Sequence, residues 1–273
     1  MTKLQERLDR PTTWEEMLDV EYTDVRVINN PYLSTTPATQ VGTRGTAYGF
    51  SDFAETNEAR TISTYRVIPI FVDRADLAQS TFSRQMYWAE LQAQLLQEYL
   101  EAQFLAAHAS WTDFGLLSIG GGGAATTTIT VSASNIDDII RGLKREIREA
   151  NGQAMAARNG IGIVWRPQDF EYLEAFVQAN GFVTADRALK EGTEMGLRYM
   201  GVDHYFSNDH TANHLFAGVK KTGSLGILRA TWGQVVITQD PNLQSGVGII
   251  SRVDHGFAWW NNYDSIYFDI NVA

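Results

Sequence analysis

Between residues 74 and 108 the chain contains neither glycine nor proline, and its large apolar residues recur near the 3.6-residue period of an α-helix. Phe82, Met86, Leu91, Leu95, Tyr99 and Phe104 carry the period, joined by Trp88, Leu96, Leu100 and Leu105. This spacing predicts one continuous helix of about 25 to 30 residues, roughly 40 Å long. No helical stretch of comparable length follows, so a bundle of equal helices has no partner for it. The helix reads as a structural spine.

The elements around it are of other kinds. Residues 1–40, with Pro11, Pro31 and Pro37 and the polar Ser34, Thr35 and Thr36, carry little period and read as an extended arm. Residues 41–72 have glycines at 42, 45 and 49, a polar tip around 55–60, and a β-rich run that includes Ile62, Tyr65, Val67, Ile68, Ile70 and Phe71. They read as a long two-stranded excursion. After the helix come four glycines at 120–123 and a threonine-rich strand at 126–131. A helix follows, capped by Ser134 with Asp137 three positions on, buried through Ile136, Ile139, Ile140, Leu143 and Ile147, and ended by Asn151 and Gly152. Ile161–Trp165 reads as a strand, and a helix runs from Pro167 to Asn180 and Gly181 with Tyr172, Leu173, Phe176 and Val177 on one side. Strands return at 214–219, 226–228, 234–238, 246–253, 257–260 and 265–272, with a turn at Asp240, Pro241 and Asn242. There is no internal repeat, and the fold class is α+β with one dominant helix.

Composition narrows the function. The 273 residues allow one large domain or two small ones. Cysteine is absent, which removes disulfides, thiolate metal sites and cysteine nucleophiles. A formal charge of -10, from 22 basic and 32 acidic residues, argues against a protein whose task is to grip nucleic acid. It fits ordinary solubility, and the sharper alternative is a surface that lies near packed DNA without adhering to it. No uncharged apolar run reaches the length of a membrane span and the first ten residues lack a signal-peptide core, so a cytosolic protein is expected.

The usual catalytic patterns are missing: there is no G-x-S-x-G elbow, H-E-x-x-H pair, calcium loop or phosphate loop. Gly120, Gly122 and Ala125 can be forced into a dinucleotide fingerprint, but a strand is expected after them where that site needs a helix. Asp203, His204, Asp209, His210 and His214 form the best metal candidate, with His210 and His214 four residues apart. A turn at Ser207, Asn208 and Asp209 followed by a strand spoils the helical geometry that this spacing needs. Trp259 and Trp260, with Phe257 and Tyr263, could stack on a sugar or base, yet neighbours in a strand point to opposite faces, which favours packing. Asp137 and Asp138 are explained by their helix start. No catalytic, cofactor-binding or metal-binding residue is therefore expected, and the chain is not expected to be an enzyme.

The order arm, extended hairpin, spine helix, α/β subdomain and returning strands resembles the major capsid proteins of tailed bacteriophages, which share the Hong Kong 97 fold. Three stretches carry the likeness: residues 71–80 at the junction of hairpin and spine, His214–Val219 with residues 223–229 and 239–241 after it, and residues 248–256 in a late strand. The resemblance implies an N-terminal arm at 1–40, an extended loop at 41–72, a peripheral domain at 73–117 and 225–262, and an axial domain at 118–224 and 263–273. It implies self-assembly, through pentamers and hexamers, into the icosahedral head of a virion built in the host cytoplasm. That head would enclose double-stranded DNA held without sequence specificity, with a portal as partner, possible separate scaffolding and decoration proteins, no cofactor and no membrane.

Two departures matter. The namesake welds a loop lysine to a neighbour's asparagine, and residues 41–72 here contain no lysine, so covalent crosslinks from this loop are not expected. About 40 residues precede the loop, too few for the namesake's cleaved scaffolding segment, which implies a separate scaffold or none. Alternatives are an encapsulin-like nanocompartment shell, with the same subunit fold around cargo enzymes, and a metal-dependent hydrolase built on His204, His210 and His214.

Overall fold

The computed structural model describes residues 12–35, 44, 54–73, 82–179, 197–232, 235–238 and 246–273. The described chain opens with one helical turn, α1 (Trp14–Met17), and a strand, β1 (Asp19–Thr23). Strands β2 (Val27–Thr35) and β3 (Ala54–Thr61) then pair antiparallel as a ribbon, Val27 opposite Thr61 and Thr35 opposite Ala54. β4 (Thr64–Asp73) precedes the long helix α2 (Phe82–Leu105), whose 24 residues make it about 36 Å long. Gln92, Leu96, Leu100 and Phe104, one every fourth residue, form a buried stripe, with Glu98, Glu101 and Leu105 buried beside it. Each buried apolar side chain there contributes about 2 kcal/mol.

Two sheets flank this helix. The first orders β1, β10 (Ser224–Leu228), β12 (Gly246–Ala258) and β11 (Val235–Thr238), with β4 paired along β12 from Asp73 opposite Gly246 to Thr64 opposite His255. The second has six strands in the order β5 (Thr112–Phe114), β13 (Tyr267–Asn271), β9 (His214–Val219), β6 (Ile161–Trp165), β8 (Val202–Phe206) and β7 (Leu197–Tyr199). Helices α3 (Ile136–Glu149), α4 (Gln153–Asn159) and α5 (Pro167–Ala179) complete the second body.

The central strands of the six-stranded sheet, β13, β9 and β6, are buried on both faces, and alternation sorts their side chains. Ile161, Ile163, Leu215, Ala217, Val219, Phe268 and Ile270 pack with α3, while Val164, Phe216 and Tyr267 pack with the long helix. In α3 Ile136, Ile139, Ile140, Leu143 and Ile147 are all buried, as their spacing predicts. Asn151 takes a left-handed φ of 59° and the Gly152 amide donates to the Ile147 carbonyl at 2.8 Å, closing the helix where expected. Among the described residues no helix is long and apolar enough to cross a membrane.

Several expectations are corrected. The two strands of the excursion are 27–35 and 54–61, so its first strand lies in the expected arm, and the expected tip at 55–60 is itself strand. Residues 64–73, expected as the return strand of the excursion, belong instead to the first sheet. The threonine-rich segment forms no strand. Ile129 makes a single bridge to Val272, and the Thr127 carbonyl and hydroxyl are taken by the Leu116 and Ala124 amides inside a loop. Ser134 does not cap α3; Asn135 stands there, and its side chain accepts from the Ser132 amide and donates to the Thr130 carbonyl. Strands expected at 246–253 and 257–260 are one, running through Gly256, where an added Cβ would meet the Thr61 carbonyl oxygen at 3.0 Å. Residues 261–266 form a 3-10 helix before β13, and α4 was not anticipated. The expected helix stop at Asn180 and Gly181, the turn at Asp240, Pro241 and Asn242, and most of the junction at 71–80 lie outside the described residues.

Candidate assembly interface

The ribbon β2–β3 is rooted and otherwise exposed. At its root Ile28 and Ile62 pack with Ala258 and Trp260 in a small buried cluster. Polar ties surround that root: Asn30 Nδ2 donates to Asn262 Oδ1 at 3.0 Å, and the Asn261 amide donates to Glu58 Oε2 at 3.0 Å. Val27 beside it and Leu33 toward the tip are exposed, and β3 shows no buried residue. Among the described strands β2 and β3 pair only with each other. Tyr22, Tyr65, Phe71 and Val236, all exposed, add apolar surface on the first sheet.

The N-terminal segment is fastened to the long helix. Glu101, fully buried on α2, accepts from the Thr13 amide and hydroxyl and from the Trp14 amide at 3.1 Å. Burial pushes its carboxyl above the usual range, and hydrogen bonds from Thr13, Ser207 and Trp14 oppose that shift.

The residues singled out for chemistry disperse. Asp203 pairs with Lys220 at 2.6 Å. His204 is buried, its Nδ1 accepting from Trp165 Nε1 at 3.0 Å, and burial holds its pKa down to about 4. Burial also lowers His210 to about 4, and its Nδ1 lies 3.1 Å from the His214 carbonyl oxygen. The Asp209 amide reaches Ser207 Oγ at 3.3 Å within a turn, as expected. His204, His210 and His214 thus do not converge, which leaves the hydrolase reading without a donor set. Gly120 is left-handed at φ 86° behind a 3-10 turn at Leu116–Ile119, and no helix follows the glycines until Ile136. Trp259 packs with Phe104, Trp111 and Phe216 while Trp260 joins the ribbon root, so the pair does divide between two clusters. Asp137 and Asp138 both pair with Arg141, at 2.8 and 2.7 Å.

One group escaped the sequence reading. His108, in the 3-10 turn Ala106–Ser110 that ends the long helix, stacks on His214 with ring centroids 3.8 Å apart and planes 16° from parallel. His214 Nδ1 lies 2.7 Å and His108 Nδ1 3.7 Å from Asp269 Oδ2. Burial pushes the Asp269 carboxyl up, against the pull of His214 and His108.

No protein-family model matches the chain, and no curated protein matches it in sequence. Solved structures match over nearly its whole length. A chain of Mycobacterium phage Che8 superposes with a TM-score of 0.72 at 15% identity, covering 98% of this chain and 94% of that one. The capsid of an empty GTA particle gives 0.66 at 13% identity, covering 100% and 94%. The capsid of cyanophage P-SCSP1u gives 0.62 at 11% identity, covering 100% and 91%. At these identities the likeness is one of backbone architecture. The chain therefore has the Hong Kong 97 fold of phage capsid subunits.

Proposed function

We propose that this chain is a major capsid protein, many copies of which close into an icosahedral head around double-stranded DNA. The observation that carries the reading is the ribbon β2–β3, anchored at its root and, among the described strands, paired only within itself, in a chain with the fold of capsid subunits. A two-stranded ribbon is marginal by itself in water. It gains stability when a neighbour covers it, so each copy contributes ribbon and sheet edge to its neighbours and receives theirs. On this reading α2 with the first sheet is the peripheral body, and the six-stranded sheet with α3, α4 and α5 is the axial body. Pentamers and hexamers supply the partners, a portal and scaffolding or decoration proteins join them, and the product is a virion assembled in the host cytoplasm. The role is structural, with no catalysis, and the net negative charge keeps DNA mobile inside the shell.

Sedimentation of the purified chain tests this. The wild type runs as closed particles, and Leu33→Asp, at an exposed ribbon position, stays folded but runs as free subunits. A wild type that remains a 30.5 kDa monomer at high concentration overturns the reading. Particles isolated from their natural source carry nuclease-protected DNA; a protein cargo in its place would assign the chain to a nanocompartment.

A further inference from the structure

We propose that His108, His214 and Asp269 form a binding site for a divalent transition-metal ion of the zinc type, which fastens the end of the long helix to the six-stranded sheet. No metal ligand was expected from the sequence, and the site uses none of the residues that carry the assembly reading.

The donors are already gathered. Among the described residues this is the one group of three histidine or carboxylate side chains whose donor atoms all lie within 4.8 Å of one another. Zinc holds nitrogen and oxygen donors at about 2.0–2.1 Å, which puts neighbouring donors of a four-coordinate ion roughly 3.3 Å apart. The 2.7 and 3.7 Å separations from Asp269 Oδ2 bracket that value, so the donors lie close enough for one ion to reach all three.

The second observation is independent of the spacing. Asp269 is 3% exposed, and its Oδ1 is buried without a hydrogen-bond partner. An orphaned carboxylate oxygen in the interior is costly, and an ion held by both oxygens of Asp269 relieves it. Beside it Asp113 is held by Asn271 Nδ2 at 3.1 Å and adds negative potential. The two imidazoles stack face to face while half-buried beside Asp269, and turning one ring out of the stack brings both Nδ1 atoms onto one ion.

The donor set selects the ion. Two imidazoles and one carboxylate suit zinc, cobalt or nickel, whereas calcium and magnesium take oxygen ligands. Three protein ligands leave a fourth position, which the quarter-exposed edges of His108 and His214 open to water. On binding through Nδ1, neutral His214 gives up the proton it shares with Asp269 while Nε2 takes one from solvent, so the ring changes tautomer with no net release of protons. The ligands come from the turn after α2, the first residue of β9 and the middle of β13, so one ion staples three segments distant in sequence.

The test is titration of the full chain, dialysed against chelator, with cobalt chloride followed by zinc chloride. The proposal expects one cobalt ion per chain with the visible absorption of four-coordinate cobalt, and its bleaching by zinc. His108→Gln and His214→Gln each weaken binding by more than about 100-fold, beyond what loss of an outer-shell partner costs. Zinc at a hundred times its Kd raises the Tm of the unsubstituted chain by about 5 °C or more. Absence of binding, binding unchanged in both variants, or an unmoved Tm overturns the proposal. Because the Tm is read on the unsubstituted chain, a variant that fails to fold does not decide the matter.

Discussion

The Glu101 carboxylate accepts hydrogen bonds from both the amide and the hydroxyl of Thr13, at 2.8 Å each, across 88 residues of sequence. Together with the Trp14 amide this fixes where the N-terminal segment leaves the long helix. Thr13 and Trp14 are themselves almost fully buried, so water cannot replace the carboxylate.

Replacement of Glu101 by alanine leaves those donors buried and unpaired. The expected cost is about 3 kcal/mol of stability, read as a lower urea midpoint. A change within about 0.5 kcal/mol, the range of ordinary surface substitutions, contradicts the latch.

Acid weakens the fold through its buried histidines. His204 and His255 have pKa values lowered by burial from 6.5 to about 4, so between these values the unfolded chain binds more protons than the folded one. Their contribution is full above pH 6.5 and is lost as the pH falls towards 4, by up to about 3 kcal/mol each. The raised Glu101 and Asp269 run the other way, their contribution being lost as pH rises through their folded values, and this offsets part of the acid loss. Urea midpoints measured across this window fall with pH, and His255→Gln makes the fall shallower. A flat profile contradicts the burial of these neutral rings.

Gly226 sets how closely the ribbon root approaches the first sheet. A Cβ there would overlap Ile28 Cδ1 and lie 2.7 Å from its Cγ1 and 3.1 Å from Ile62 Cδ1. Gly226→Ala is expected to cost about 2 kcal/mol and to speed amide exchange in residues 27–33. Unchanged exchange there would show that the ribbon is not rooted through Ile28.

The absence of lysine from residues 41–72 has a direct readout. Particles boiled in detergent resolve to a single 30.5 kDa band. A ladder of crosslinked multimers, with the bond mapped to this loop, contradicts the expectation.

The readable parts of this fold are those where burial imposes a period. The long helix shows because nothing in residues 74–108 breaks it, and α3 shows because its buried isoleucines and leucine follow the helical period. The ribbon hides for the opposite reason. Residues 54–61 rest on no core, so their strand carries no alternation, and Asn29, Asn30 and Pro31 disguise its partner. Gly256 suggests a break to a reader of the sequence, whereas the strand needs it for clearance from the Thr61 carbonyl. His108 and Asp269 join His214 only through the topology, since the turn after α2 and the strand β13 reach one end of β9 from different parts of the chain. No local spacing reports that meeting.

The central claim is that the ribbon exists to be covered by another copy of the same chain. A cryo-electron microscopy reconstruction of the assembled protein measures this directly. The account predicts a closed polyhedral shell in which residues 27–35 and 54–61 of each copy lie across a neighbouring subunit. Isolated single copies with that ribbon folded back on their own body would contradict it.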